Sequence, residues 1–287
     1  MENLMENLRI GVPSKGRLAE IASDLLKEAG LSFRRQDRSL FARCREMPID
    51  VTFLRTEDIP VLCAEGAIDM GITGSDLVAE HTAEVIDRLA LGVGQCRLAI
   101  CVPDDSPAQS PAQLNGLRIA TSFPHSTEQY LKQHGARVHL VHLSGSVEVM
   151  IALGVADAIV DLVETGSTLA ANRLRILDEI GQYQTILIQN SERRHPEVAD
   201  RVVRRLEGVV IARSYSLLEY NVPRNKLGEA EKITPGFNSP TVSSLEDPGW
   251  CAVRVMVRRG EVIAIMEQLE SLGASAILQT QIVNCRL

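Results

Sequence analysis

Asp157-Ala-Ile-Val-Asp161-Leu-Val-Glu164-Thr165-Gly166-Ser167-Thr168 sets three carboxylates ahead of a small polar loop. Ala158 to Val163 is apolar and reads as a strand, and a helix is expected from about Leu169. Gly166 permits φ > 0, so successive N–H groups can curl round one anion. The hydroxyls of Thr165, Ser167 and Thr168 add donors, and a helix start adds partial positive charge. That is a phosphate cradle. Carboxylates would repel the phosphate, but Asp157 and Asp161 can accept hydrogen bonds from neighbouring sugar hydroxyls. Phosphate and diol on one molecule point to a sugar phosphate, most simply ribose 5-phosphate. The plain alternative is an ordinary strand–turn–helix with a Ser/Thr cap. The loop is not a Walker loop, because G-x-x-x-x-G-K-S/T is absent.

Three cations follow strand ends: Lys15 and Arg17 after Leu8–Pro13, and Arg55 after Ile49–Leu54. In open α/β sheets ligands sit beyond the carboxyl ends of strands, where cations can neutralise phosphates. Solvated turns are the competing reading. Asp69-Met-Gly71-Ile-Thr73-Gly74-Ser-Asp76 is a second glycine-rich strand end. Gly71 and Gly74 suit a close backbone approach to a ligand, or simply a tight turn. His139 and His142 stand three apart on a strand, face opposite sides and complete no metal-ligand spacing. No Ser-His-Asp ordering supports nucleophilic catalysis.

The elements that must hold these residues are α/β in texture. The chain has 287 residues, 45% hydrophobic and only 3% aromatic. Leu, Ile, Val and Ala supply most of that, as helices on parallel sheets require. Net charge is −7 with no basic run, which argues against a nucleic-acid polymer as partner. The six cysteines form no C-x-x-C pair and read as reduced, mostly buried thiols of a cytoplasmic protein. MENLMENLRI has no apolar signal region and reads as a frayed tail. No run of about 20 apolar residues would span a membrane. Strands are expected at Asp69–Thr73, Val85–Leu91, Arg97–Pro103, Leu117–Thr121, Val138–Leu143 and Thr185–Gln189, with helices at Leu18–Ala29, Ile59–Glu65, Ser126–His134, Val147–Leu153 and Glu197–Val209. After Tyr215 the order becomes β-α-β-β-α-β, the ferredoxin-like order, in about 70 residues.

The stretches VPSKGRL (12–18), RTEDIP (55–60), DMGITGSD (69–76), LRIATSFP (117–124), GVADAIVDLVETGSTL (154–169), ITPGFNSPTVSSL (233–245) and SLGASAIL (271–278) resemble the long form of ATP phosphoribosyltransferase over nearly the whole chain. The resemblance implies an α/β fold: a bilobal catalytic core like a type II periplasmic binding protein, plus a C-terminal ferredoxin-like, ACT-like regulatory domain. It places one catalytic domain at 1–94 with 184–213, a second at 95–183, and the regulatory domain at 214–287. It implies transfer of phosphoribosyl from 5-phosphoribosyl 1-pyrophosphate to N1 of ATP, with Mg²⁺ and release of pyrophosphate, as the first step of L-histidine biosynthesis. The neutral adenine N1 is already a nucleophile, so no activated Ser or Cys is required.

On this reading Asp157, Asp161, Glu164, Thr165, Gly166, Ser167 and Thr168 bind phosphoribosyl pyrophosphate. Lys15, Arg17, Arg55, Asp69, Gly71, Thr73 and Gly74 bind ATP or pyrophosphate. L-Histidine as feedback inhibitor is expected at Asn221, Phe237, Ser239, Thr241, Met256 and Ala276, in a homo-oligomer ranging from dimer to hexamer. No protein ligand to Mg²⁺ is assigned. Many members carry an acid where Asn221 stands, and Asn keeps the acceptor without the charge. Two other classes compete: a non-catalytic solute-binding protein with the same core, and a phosphoribosyltransferase with two adjacent acids before its loop. The four-residue spacing of Asp157 and Asp161 disfavours the latter.

Overall fold

The computed structural model describes residues 7–35 and 39–286; the expected frayed tail lies, through residue 6, outside them. Contacts divide the chain into two units, Met1–Asp24 with Ser32–Val203, and Leu25–Leu31 with Arg204–Leu287. The first holds two sheets and the second holds one.

The chain opens with β1 (Leu8–Pro13), α1 (Arg17–Glu28), β2 (Phe41–Arg43), β3 (Ile49–Leu54), α2 (Asp58–Ala64), β4 (Met70–Gly74), α3 (Ser75–Glu80) and β5 (Val85–Ala90). It then crosses to a second sheet: β6 (Cys96–Pro103), β7 (Arg118–Thr121), α4 (Pro124–Gln133), β8 (His139–His142), α5 (Val149–Ala152), β9 (Ala158–Val163), α6 (Ser167–Ala171) and β10 (Leu174–Tyr183). It returns through β11 (Thr185–Asn190) and α7 (Pro196–Ser214). The first sheet has the order β2-β3-β1-β4-β11-β5 and the second β10-β6-β9-β7-β8. In the first, β1 runs parallel to β3 and β4; in the second, β7 runs parallel to β8 and β9. The remaining ladders are antiparallel, so both sheets are mixed. Two crossings of the chain make two lobes, the bilobal core that the resemblance implies.

Central strands are buried on both faces. Ile10, Gly11 and Val12 of β1, and Ile159 and Val160 of β9, are consecutive buried residues on alternate faces. Such strands are near-continuous apolar runs, which is why the sequence shows them clearly. Gly30 takes φ +70° after α1 and closes it, as expected of a helix-ending glycine. All six cysteines are free thiols, and Cys44, Cys63, Cys101 and Cys251 are buried. Among the described residues no helix is long and apolar enough to cross a membrane.

Residues 215–286 build β12 (Tyr215–Pro223), α8 (Leu227–Ile233), β13 (Thr241–Ser244), β14 (Trp250–Arg258), α9 (Val262–Leu272) and β15 (Ser275–Gln281). Their sheet has the order β13-β14-β12-β15 with every ladder antiparallel, the ferredoxin-like arrangement. One face carries Leu218, Tyr220, Val222, Val253 and Val255 against Ala230, Val262 and Leu269 of the two helices. The strict alternation of β12 follows from one covered face and one open face.

The structure corrects three local expectations. The helix expected from Leu169 is the five-residue α6, which begins at Ser167 and gives way to the ten-residue strand β10. β10 pairs with β6 through two register shifts, and such bulges hide the strand's alternation. α3 and β2, of six and three residues, are too short for a period to show in the sequence. Gly71 is not a site of ligand approach. A Cβ there would meet Ile59 Cγ2 at 2.5 Å, so α2 packs directly on β4 at this glycine. Gly71→Ala is therefore expected to destabilise the protein by about 1–3 kcal/mol through overpacking. Urea denaturation measures that, and substrate affinity should not change in the folded fraction.

Candidate functional site

The parallel strands direct their carboxyl ends at one cleft. From the first sheet come Ser14 and Lys15 after β1, Arg55 and Thr56 after β3, and α3 after β4. From the second come Ser122 and Phe123 after β7, Leu143 and Ser144 after β8, and Glu164 to Thr168 after β9. Residues of both sheets line a cavity of about 810 Å³ that holds Ser14, Lys15, Arg55, Thr56, Glu80, Ser122, His142 and Ser144. A neighbouring space of about 390 Å³ holds Arg17, Gly74, Asp76, Cys96 and Glu164. A third, of about 470 Å³, is lined by Ser146, Glu148, Asp161 and the loop from Glu164 to Thr168.

The loop has the form its sequence requires. Gly166 sits at φ +80°, ψ 2°. Open space surrounds the position of a Cβ there, so backbone conformation alone calls for glycine. Thr165 Oγ1 and Ser167 Oγ lie 3.1 Å apart, within hydrogen-bond distance of each other. Because α6 is only five residues long, its dipole adds less than a full helix would; hydroxyls and backbone N–H groups dominate. Asp161 lines the same space. Burial, its largest influence, and then Glu148 push its carboxyl above the usual range, while the Leu162 N–H at 2.8 Å pulls it down.

Glu164 is bound by a cation of the other lobe. Arg17 Nη2 donates to both its oxygens, at 2.8 and 2.9 Å. The two side chains are 66% and 48% exposed, so the pair contributes about 1 kcal/mol at most. A ligand phosphate can replace Glu164 on Arg17 at small cost. Lys15 and Arg55 are exposed on the cavity wall. Thr73 is buried and donates to the Thr56 carbonyl at 3.3 Å, which fixes the turn after β3. Gly74 caps α3 and borders the 390 Å³ space.

Two aspartates expected in the site are elsewhere. Asp157 and Asp69 precede β9 and β4, at the amino ends of parallel strands. Six residues of strand separate Asp157 from the loop, roughly 20 Å. Each aspartate is clipped to an arginine of the neighbouring parallel strand. Asp69 accepts from the Arg9 N–H at 2.7 Å and is 2% exposed. Asp157 accepts from the Arg118 N–H at 2.9 Å and from the Arg118 guanidinium at 2.7 and 3.1 Å. Asp157 lines a separate hollow with Pro103, Gln113 and Ile151. The acids that do border the loop are Asp161, Glu164 and Glu148, and Glu148 carries no motif that would single it out in the sequence.

Asn221, Thr241 and Met256 point away from the core of the C-terminal sheet, onto its open face. Asn221 stands in register with Ala252, Thr241 with Arg254, and Met256 with Leu217. The Arg254–Glu219 ion pair, 2.7 Å, occupies the row between Asn221 and Met256. Phe237 and Ser239 lie on the loop before β13, and the Phe237 ring is 4.8 Å from that of Tyr215. Ala276 takes φ +48° on β15, where the ladder to β12 slips between Glu219 and Asn221. A small ligand touching Asn221 and Met256 together would have to bridge or displace the Arg254–Glu219 pair.

Fold and cleft are those of a two-lobed α/β protein with phosphate-type donors on both walls and an added ferredoxin-like domain. The family profile "HisG: ATP phosphoribosyltransferase" matches residues 55–208, and "HisG, C-terminal domain" matches residues 212–284. A relative described as ATP phosphoribosyltransferase, from Rhodopirellula baltica, is 70% identical over 98% of this chain and 94% of its own. One from Saccharopolyspora erythraea is 42% identical over 98% of this chain and 100% of its own. A solved structure of the ATP phosphoribosyl transferase (HisG:HisZ) complex from Thermotoga maritima superposes with TM-score 0.63 at 32% identity, covering 71% of this chain and 98% of that one. The chain belongs to the ATP phosphoribosyltransferase family, which carries out the first step of histidine biosynthesis, and has the long form with its regulatory C-terminal domain.

Because Asp157 serves Arg118 rather than the cleft, Asp157→Asn is expected to leave phosphoribosyl pyrophosphate affinity unchanged by calorimetry. The pair is partly exposed, so the stability loss should stay within about 1 kcal/mol. Arg118 holds the Asp157 carboxyl below its usual range, first through the side-chain hydrogen bonds. That stabilisation is complete above the unfolded value, about 3.9, and disappears as pH falls through the lowered folded value. Denaturation curves of wild type and variant should therefore converge in acid.

Proposed function

We propose that phosphoribosyl pyrophosphate and ATP meet in the cleft between the two sheets. The loop Thr165–Thr168 takes the 5-phosphate and Asp161 takes the ribose hydroxyls. Lys15, Arg17 and Arg55 take pyrophosphate and nucleotide phosphates from the opposite wall, with Gly74 and the Thr73-fixed turn shaping that wall. The observation carrying this reading is the pairing of the Gly166 loop with Asp161 in one polar space. Donors for an anion and an acceptor for a diol stand side by side there.

The adenine N1 lone pair attacks C1′ of the ribose; the C1′–O bond breaks and pyrophosphate leaves with its electron pair. Positioning of the two substrates and cations on the departing oxygens supply the catalysis. Mg²⁺, when bound with the substrates, would supply further charge neutralisation. Among the described residues no three His, Cys, Asp or Glu side chains gather into a metal cage. The ion would be held through the substrates' phosphates, with no protein ligand assigned.

L-Histidine, on this reading, binds the open face and the Phe237–Thr241 loop of the C-terminal domain in a homo-oligomer, and inhibits without competing with phosphoribosyl pyrophosphate. Inhibition then requires that histidine favour one global state over another.

Three measurements test the assignments. Gly166→Val should abolish most phosphoribosyl pyrophosphate affinity by calorimetry while the circular dichroism spectrum is retained; unchanged affinity would remove the loop assignment. Asp161→Asn loses a charge-assisted hydrogen bond of about 1.5–3 kcal/mol and should lower kcat/KM by roughly one to two orders of magnitude. Thr241 replaced by a bulky residue should abolish histidine inhibition, and inhibition at the wild-type concentration would contradict the regulatory site.

A further inference from the structure

Helix α4 begins without a cap of its own. Its N-cap position is Phe123, whose side chain makes no capping hydrogen bond, and Pro124 follows. The next N–H groups, of His125 and Ser126, are orphan donors of a helix start. Glu80 takes both: Oε1 accepts from His125 N at 2.8 Å and Oε2 from Ser126 N at 2.9 Å. Ser126 Oγ donates a third bond to Oε2 at 2.8 Å. Glu80 ends α3, which follows β4 of the first sheet, whereas α4 follows β7 of the second. The cap is supplied across the cleft, and a carboxylate is what a helix start favours.

α3 meets the second lobe at one further point. Leu77 packs against the core cluster of Leu98, Ile100 and Phe123. Leu77 and Glu80 are three residues apart on one helix face, and both line the 810 Å³ cavity with Lys15 and Arg55. The ion pair between the lobes, Arg17–Glu164, is exposed and displaceable. The α3–α4 contact carries three hydrogen bonds and apolar packing.

We propose that Glu80 is a positioning residue for the transfer. By capping α4 from α3 it sets the spacing at which nucleotide held by the first lobe reaches ribose held by the second. The proposal rests on the reading of the cleft given above. Bond formation between N1 and C1′ is steeply sensitive to that spacing, and a displacement of about 1 Å can cost roughly 100-fold in rate. The 5-phosphate and ribose of phosphoribosyl pyrophosphate are taken by the second lobe, so affinity for it alone should depend on that spacing far less than turnover does.

The test uses full-length protein carrying Glu80→Ala, Glu80→Gln or Glu80→Asp. Steady-state turnover, calorimetric affinity for phosphoribosyl pyrophosphate alone, and thermal melting are measured for each. Turnover should fall at least about tenfold in the Ala variant, with Gln intermediate and Asp, which keeps both oxygens, nearest wild type. Affinity for phosphoribosyl pyrophosphate should be preserved throughout. Ser126→Ala, which removes one bond of three, should give a smaller loss of turnover. Wild-type turnover in the folded Ala and Gln variants would overturn the proposal. So would affinity falling in step with turnover, because a merely structural cap would damage both together. Gly166→Val reports on the substrate loop without touching Glu80, so failure of the site reading and failure of this proposal are told apart.

Discussion

Parallel strands fix everything else in the catalytic core. A parallel pair needs a crossover between its members, so all the loops at the carboxyl ends open on the same side. Here that constraint acts twice, on β3-β1-β4 and on β9-β7-β8, and the chain's two crossings turn the two sets of loops towards each other. Residues become functional by which end of a strand they follow. Lys15, Arg55 and Thr165–Thr168 follow carboxyl ends and face the cleft. Asp69 and Asp157 precede amino ends and are spent on arginine clips between neighbouring strands.

The two aspartate clips also explain an apparent excess of charge beside the loop proposed to take an anion. Buried or half-buried carboxylates need partners. Asp69 and Asp157 find theirs in Arg9 and Arg118, one strand away, and so do not compete with a phosphate. What remains near the loop is Asp161, raised by burial, and Glu164, held by Arg17. Of these, Asp161 is a fixed acceptor on the wall of the loop's space, while Glu164 occupies a cation that a phosphate can claim.

The contacts between the lobes divide by exposure. Glu80 and Leu77 bind α4 and the second core through short, partly buried bonds and apolar packing. Arg17–Glu164 is solvent-screened and weak. The C-terminal domain contains none of the cleft residues. Its alternating strands leave an open sheet face on which Asn221, Thr241, Met256 and the Arg254–Glu219 pair are arrayed.

The amino-acid sequence by itself determined the strands with doubly buried faces, the ferredoxin-like order after Tyr215, and the glycine-dependent loop at Gly166. These are local: a run of apolar residues, a period of two, or a φ that only glycine takes easily. The long motifs also sufficed to show the family. Only the tertiary structure decided which aspartate faces the loop, because a carboxylate's partner across a parallel sheet is far away in the chain. It alone made Gly71 a packing glycine under Ile59, exposed β10 despite its bulges, and assigned Glu80 to the start of α4. Those are contacts between residues 12 to 46 positions apart or more, and no period in the sequence encodes which pairs will meet.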